Sequence, residues 1–139
     1  MRQQQSTLSI RPQGRGMSDI TRDVAEQLAQ SGIDEGMLYL FVQHTSCSLL
    51  IQENADPAVQ SDLERFLSRL VPDGDSIFRH IDEGPDDMPA HVRAALTATS
   101  LSIPVCSGHM ALGVWQGIYL YEHRLHPGMR RVVVHINGV

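Results

Sequence analysis

The residues best equipped for chemistry lie in Asp82-Glu83-Gly84-Pro85-Asp86-Asp87-Met88-Pro89-Ala90-His91, which packs four carboxylates, two prolines, a glycine and a histidine into ten positions. Asp87 and His91 are four apart, so a helix beginning near Met88 would set both on one face of its first turn. Pro89 suits that turn, where a missing N–H leaves no gap in the hydrogen-bond ladder. Asp87 is then the cap, and His91 lies near the positive end of the helix dipole. That field disfavours an imidazolium and leaves a neutral ring able to act as base or metal ligand. The plainer alternative is an acidic loop ending in an aspartate cap, with His91 on the surface.

Two other polar clusters stand at the ends of apolar runs. His44-Thr45-Ser46 follows one run, with Glu53-Asn54-Ala55-Asp56 closing the next, and Glu122-His123-Arg124 ends a third at Tyr121. His44, His91 and His123 come from three separate elements and would complete a three-imidazole site with one open position, as catalytic zinc requires. Glu83 or Asp87 would then orient the rings. Alternatively, Asp86, Asp87 and Glu53 offer hard oxygens for a magnesium ion holding a diphosphate, with Arg124 and His80 on phosphate oxygens. Each residue also has a bland reading: His44 as a core histidine, Glu122 and Arg124 as a surface pair worth little, Trp115 as a core anchor or subunit contact. Ser46 has no G-x-S-x-G elbow around it, and Gly14-Arg15-Gly16 lacks the context of a dinucleotide loop.

The elements that must position these groups follow from periodicity. Thr7–Ile10 alternates like a half-buried strand, and Pro12–Gly16 reads as a turn. Ser18 predicts an N-cap for a helix carrying Ile20, Val24 and Leu28 on one stripe, stopped at Ser31-Gly32. Gly36–Val42 is nearly all apolar, which predicts a central strand covered on both faces. Cys47–Gln52 is a second strand, possible hairpin partner to the first. Asp56-Pro57 opens a helix bearing Val59, Leu63, Phe66, Leu67 and Leu70, which Pro72 ends. Asp73–Met88 has no periodicity, and a connection that long in a compact domain is often functional. A short helix from Pro89, a strand at 101–106 with Pro104 at an edge or bulge, and strands at 118–121 and 131–136 complete the chain. The order predicts an α+β fold: a mostly antiparallel sheet packed with two main helices and one short one, residues 1–139 as one domain.

With 139 residues, 42% hydrophobic and 19% charged, the chain can bury a real core, and a net charge of -5 argues against a nucleic-acid surface. No apolar run approaches the length of a membrane span, and Met1–Ser6 lacks a signal-peptide core, so the expected compartment is the cytoplasm. Cys47 and Cys106 lack C-x-x-C spacing and read as reduced, packing cysteines.

Gln43-His44-Thr45-Ser46-Cys47-Ser48-Leu49, Glu53–Pro57, Glu83–His91, Gly113–Tyr119 and Glu122-His123-Arg124 together resemble the YjbQ-like family, whose members are described as secondary thiamine-phosphate synthases. The resemblance spans nearly the whole chain. It implies an α+β fold, a homotrimer, and an activity joining a pyrimidine diphosphate to a thiazole phosphate with release of pyrophosphate. The family's residues fall on these segments, His44, His91 and His123 among them, which the reading above takes as ligands of a divalent metal, zinc or magnesium. Glu83, Asp87, Glu122 and Arg124 would be catalytic, and Thr45, Ser46, Asn54, Asp56, Trp115 and Gln116 would hold a small phosphorylated metabolite. The alternatives are a non-catalytic trimer that binds such a metabolite, and a metal-dependent hydrolase.

Overall fold

A computed structural model describes all residues, 1–139. The elements run β1 (Arg2–Ile10), β2 (Gly16–Asp19), α1 (Thr21–Ser31), β3 (Gly36–Val42), β4 (Cys47–Glu53), α2 (Pro57–Leu70), α3 (Asp87–Leu96), β5 (Ser100–Cys106), β6 (His109–Met110), β7 (Gln116–Glu122) and β8 (Arg130–Gly138). They form a five-stranded sheet, β1-β8-β3-β5-β6, and a three-stranded sheet, β2-β7-β4, antiparallel throughout. The class is α+β. Sixteen buried apolar residues from both sheets and α1 share one core, among them Val24, Leu28, Leu38, Leu40, Leu49, Ile118, Leu120, Val134 and Ile136.

Local rules account for most boundaries. Gly32 ends α1 in the left-handed region, where a side chain would be strained. The Asp56 carboxylate accepts the Ala58 N–H at 2.9 Å and caps α2, with Pro57 in its first turn. Pro104 lies on β5, which pairs with β3 along its length but with β6 only at Val105 and Cys106, so it occupies an effectively open edge.

Four expectations change. Ser18 is not a helix cap: Gly16–Asp19 pairs with β7 as β2, and it is the Asp19 carboxylate that accepts the Thr21 N–H at 2.9 Å. β3 and β4 do not form a hairpin, because β3 lies between β8 and β5 while β4 pairs with β7 in the other sheet. The strand buried on both faces is β7, not β3. On β7, Ile118 and Leu120 enter the core, while Tyr119 and Tyr121 are buried on the other face. On β3, Leu38, Leu40 and Val42 face inward, whereas Tyr39 and Phe41 are 38% and 52% exposed.

The fourth change bears on the site. Asp87 does not cap α3 but is its first residue, and Asp86 holds the cap position without making a side-chain cap bond. Both carboxylates are drawn away from the helix end by stronger, charge-assisted partners.

Candidate metal centre

α3 begins where the loop 71–86 meets the end of β7. Its first turn places Asp87 and His91 on one face, and the loop brings His80 to them. Asp87 is almost wholly buried, with one carboxylate oxygen, Oδ2, 3.0 Å from His80 Nε2 and 3.2 Å from His91 Nε2. The two rings stand 5.9 Å apart between centroids, tilted by 58°. The His80, Asp87 and His91 ligand atoms lie within 4.8 Å of one another, close enough to share one ion.

Hydrogen counting sharpens the geometry. His91 Nδ1 lies 2.9 Å from the Thr45 carbonyl, which only accepts, so that nitrogen carries the proton. In a neutral ring the Nε2 then presents a lone pair, and it faces a carboxylate oxygen that also presents lone pairs. Two acceptors at 3.2 Å repel unless a proton or a metal cation stands between them. The Thr45 contact has the form of the outer-sphere bond that, in metal-ligating histidines, fixes the tautomer.

Asp87 Oδ1 is held separately, accepting Arg124 NH1 at 2.9 Å. Arg124 Nε donates to Asp86 at 2.9 Å and its NH2 donates to the Glu83 carbonyl at 2.8 Å. The guanidinium is therefore spent on ordering the acidic segment, and its pKa is raised by the Asp86 hydrogen bond first. Burial alone would push the Asp86 carboxyl up, but the bonds from Arg124 and the Leu125 N–H hold it below the usual carboxylate range. Arg124 is placed as a clamp, not as a free phosphate ligand.

The other expected ligands lie elsewhere. His44 Nε2 accepts the main-chain N–H of Arg131 at 2.9 Å, and Arg130 NH1 sits 3.3 Å from its Nδ1. Burial and then Arg130 lower its pKa. His44 does line a small cleft of about 260 Å³ together with Thr45 and His91. His123 is fully buried, its Nε2 2.8 Å from the Ser48 hydroxyl. Within the chain, the three imidazoles of His44, His91 and His123 do not converge. His80, read from sequence only as a phosphate contact, takes the third place.

Glu122 is completely buried and serves as scaffold. It accepts Arg130 Nε at 2.7 Å and Arg130 NH2, together with the main-chain N–H groups of His123 and Arg124. Arg130 also donates to the Ser46 hydroxyl at 2.9 Å, so it ties together β7, β8 and the 43–46 loop. Sequence reading overlooked Arg130, whose only signal is a cation opening an apolar strand. Of the expected catalytic groups, Glu83 alone keeps its carboxylate largely exposed, 3.8 Å from Arg124.

Asn54, Asp56, Trp115 and Gln116 stand apart. In the β4–β7 ladder Cys47 faces Glu122 and Glu53 faces Gln116, so six residues, roughly 20 Å at ~3.3 Å each, separate the two ends. At the far end the Asn54 N–H donates to the Trp115 carbonyl at 3.0 Å, Gln116 Oε1 accepts the Gly113 N–H, and Asp56 caps α2. These contacts shape a loop. Thr45 and Ser46 lie at the His91 end.

The family model described as UPF0047 protein YjbQ-like matches residues 6–139. The chain belongs to this family. It is 47% identical over 137 residues to the UPF0047 protein sll1880 of Synechocystis sp., covering 99% of this chain and 93% of that protein. It is 44% identical to the UPF0047 protein YjbQ of Escherichia coli O157:H7, covering 96% and 97%. A solved structure from Clostridium acetobutylicum, described as an uncharacterized conserved protein of the YjbQ/UPF0047 family, superposes with a TM-score of 0.87 at 32% identity, covering 95% of this chain and 99% of that one. The conserved hypothetical protein TT1486 from Thermus thermophilus gives 0.83 at 36%, covering 93% and 97%. Family membership thus supplies the fold and no established activity. No helix is long and apolar enough to cross a membrane.

Proposed function

We propose that this chain is a divalent-metal enzyme acting on a small phosphorylated metabolite, with His80, Asp87 and His91 as its protein ligands. One observation carries the reading: two imidazole nitrogens point at the same buried carboxylate oxygen while the Thr45 carbonyl fixes the His91 proton on the far nitrogen. Two histidines and one carboxylate form a borderline donor set that suits zinc or a first-row transition metal better than magnesium, which prefers all-oxygen ligands. Three protein ligands leave positions open, as a catalytic site needs. When bound, such an ion supplies Lewis acidity toward a phosphoryl oxygen or an activated water.

The chain's own residues have definable tasks. Arg124 holds Asp87 in place through Oδ1, and Glu83, at the rim with its carboxylate exposed, is free to take or give a proton. Thiamine-phosphate synthesis, expected from the resemblance, fits a site in which an ion meets the charge of a departing pyrophosphate. Arg124 is not free to meet that charge, since Nε, NH1 and NH2 each already donate to the acidic segment. We further propose a homotrimer in the cytoplasm. Support for assembly is the outward face of β3, where Tyr39 and Phe41 expose apolar area. The two cysteines, one buried and one exposed, are both free, as suits a reducing compartment.

The test is zinc content after equilibration and dialysis. Wild type should retain stoichiometric zinc, His80→Ala and Asp87→Asn should lose it, and His44→Ala and His123→Gln should keep it. Zinc that survives in the first pair, or disappears in His44→Ala with the fold intact, would refute the assignment.

A further inference from the structure

Residues 71–86 contain no helix or strand, yet they are held at many points. Arg15 makes two hydrogen bonds to the Asp73 carboxylate, the Gly74 N–H donates to the Pro85 carbonyl at 3.0 Å, and Arg124 grips the Glu83 carbonyl. The loop so fixed encloses a cleft of about 400 Å³, walled by Phe78, His80, Ile81, Pro85, Met88 and Pro89. Its single carboxylate, Asp75, accepts the Ile77 N–H at 3.0 Å. The remaining walls are mostly carbon. His80 belongs to both places: its ring lines the cleft while its Nε2 lies on Asp87.

Size and chemistry define an occupant. Ligand clefts of small molecules run from ~300 Å³ upward, and a cavity of ~150 Å³ suffices for benzene, so this one has room for a substituted ring. Phe78 and the flat faces of two prolines suit a planar group, and the flexible thioether of Met88 adapts to its outline. No arginine or lysine lines the cleft, so a phosphate would find no cation there and would be drawn to the ion one imidazole away.

We infer that this cleft receives the flat, uncharged ring of a metabolite whose anionic group is held at His80, Asp87 and His91, and that Phe78, Ile81 and Met88 select the ring. The inference rests on the metal reading for the anion but not for the ring, and two measurements separate them. In the first, the Met88 methyl resonance, assigned with Met88→Leu, is followed while benzyl alcohol is added to metal-free protein. A saturable shift, abolished in Ile81→Asn, is expected; Ile81 is 64% exposed and outside the buried core, so the fold does not rest on it. In the second, phenylphosphonate and methylphosphonate are titrated calorimetrically into zinc-loaded protein. Phenylphosphonate should bind about tenfold more tightly, as burial of a ring allows, and Ile81→Asn and Met88→Gln should erase the preference while methylphosphonate binding stays the same.

An unresponsive Met88 methyl, as when a second copy of the chain covers the cleft, would overturn the ring site. So would a phenyl preference that persists in both variants. Failure of zinc to bind while the Met88 methyl still shifts would sink the metal reading and uphold the cleft.

Discussion

His123 makes this fold sensitive to mild acid. The ring is fully buried 4.5 Å from Tyr121, with its Nε2 on the Ser48 hydroxyl. Burial, followed by the positive charges of Arg93, Arg15 and Arg130, pushes its pKa from 6.5 down to about 3. In the unfolded chain the ring titrates normally. Between those two values the unfolded state therefore binds a proton that the folded state refuses, and stability rises with pH across that window. The contribution is complete above 6.5 and is lost progressively as the pH falls toward 3. At about 1.4 kcal/mol per pH unit the full displacement corresponds to about 5 kcal/mol, of which about 2 kcal/mol falls between pH 7 and 5. The assay is urea unfolding at pH 7, 6 and 5 with a chelator present, so that metal-linked protons drop out. Wild type is compared with the double variant Ser48→Ala/His123→Phe, which removes the Ser48 hydroxyl along with its partner ring. The stability gap between them should move by about 2 kcal/mol in the variant's favour as the pH drops to 5. A gap constant to within about 0.5 kcal/mol over that range would refute the reasoning.

Other perturbations follow from the same contacts. Arg130→Met leaves the buried Glu122 carboxylate without its cation and should cost about 3–5 kcal/mol in urea unfolding, with part regained in Glu122→Gln/Arg130→Met. Gly36→Ala drives a methyl into the Asn137 carbonyl where β3 and β8 pass closest, and should destabilise by about 3 kcal/mol or more, read as a lower urea midpoint. Phe41→Glu charges the exposed face of β3 and should shift the molar mass by light scattering from trimer to monomer; an unchanged mass would place the interface elsewhere.

The sequence was a good guide wherever one local rule dominated. Asp56-Pro57 announced α2, Gly32 closed α1, and the apolar runs at 36–42 and 47–52 became β3 and β4. It failed where pairing is decided at long range. β2 is four residues whose only strand signal is its partner β7, more than ninety positions away, and nothing in the β3 run distinguishes an outward face from a second core. The candidate site follows the same division. Asp87 and His91 were legible because four-residue spacing is a helical property. His80 was not, because only the path of the 71–86 loop brings it there. His44 and His123 drew attention as histidines at strand ends, and tertiary contacts give both a packing role: one accepts a main-chain N–H, the other is fully buried against the Ser48 hydroxyl and Tyr121.

Charge explains why the loop must close on Asp87. Asp86 and Asp87 are both buried, and both rest on the single guanidinium of Arg124, which leaves one negative charge in the cluster without a cation. An uncompensated buried carboxylate costs several kcal/mol, which favours any arrangement that brings a cation or donor to it. A neutral His91 ring would bring a lone pair to that charge, not a compensating one. A proton on Nε2 would satisfy one ring, whereas an ion between the three residues satisfies both rings and the carboxylate at once. His80 is the telling member: its side chain is 54% exposed, so packing does not fix it, and its place is set by the contact with Asp87. Because the same ring walls the cleft, an ion at Asp87 would order the cleft's wall along with the site. On the proposed reading, binding of metal and recognition of the ring would be coupled through one histidine.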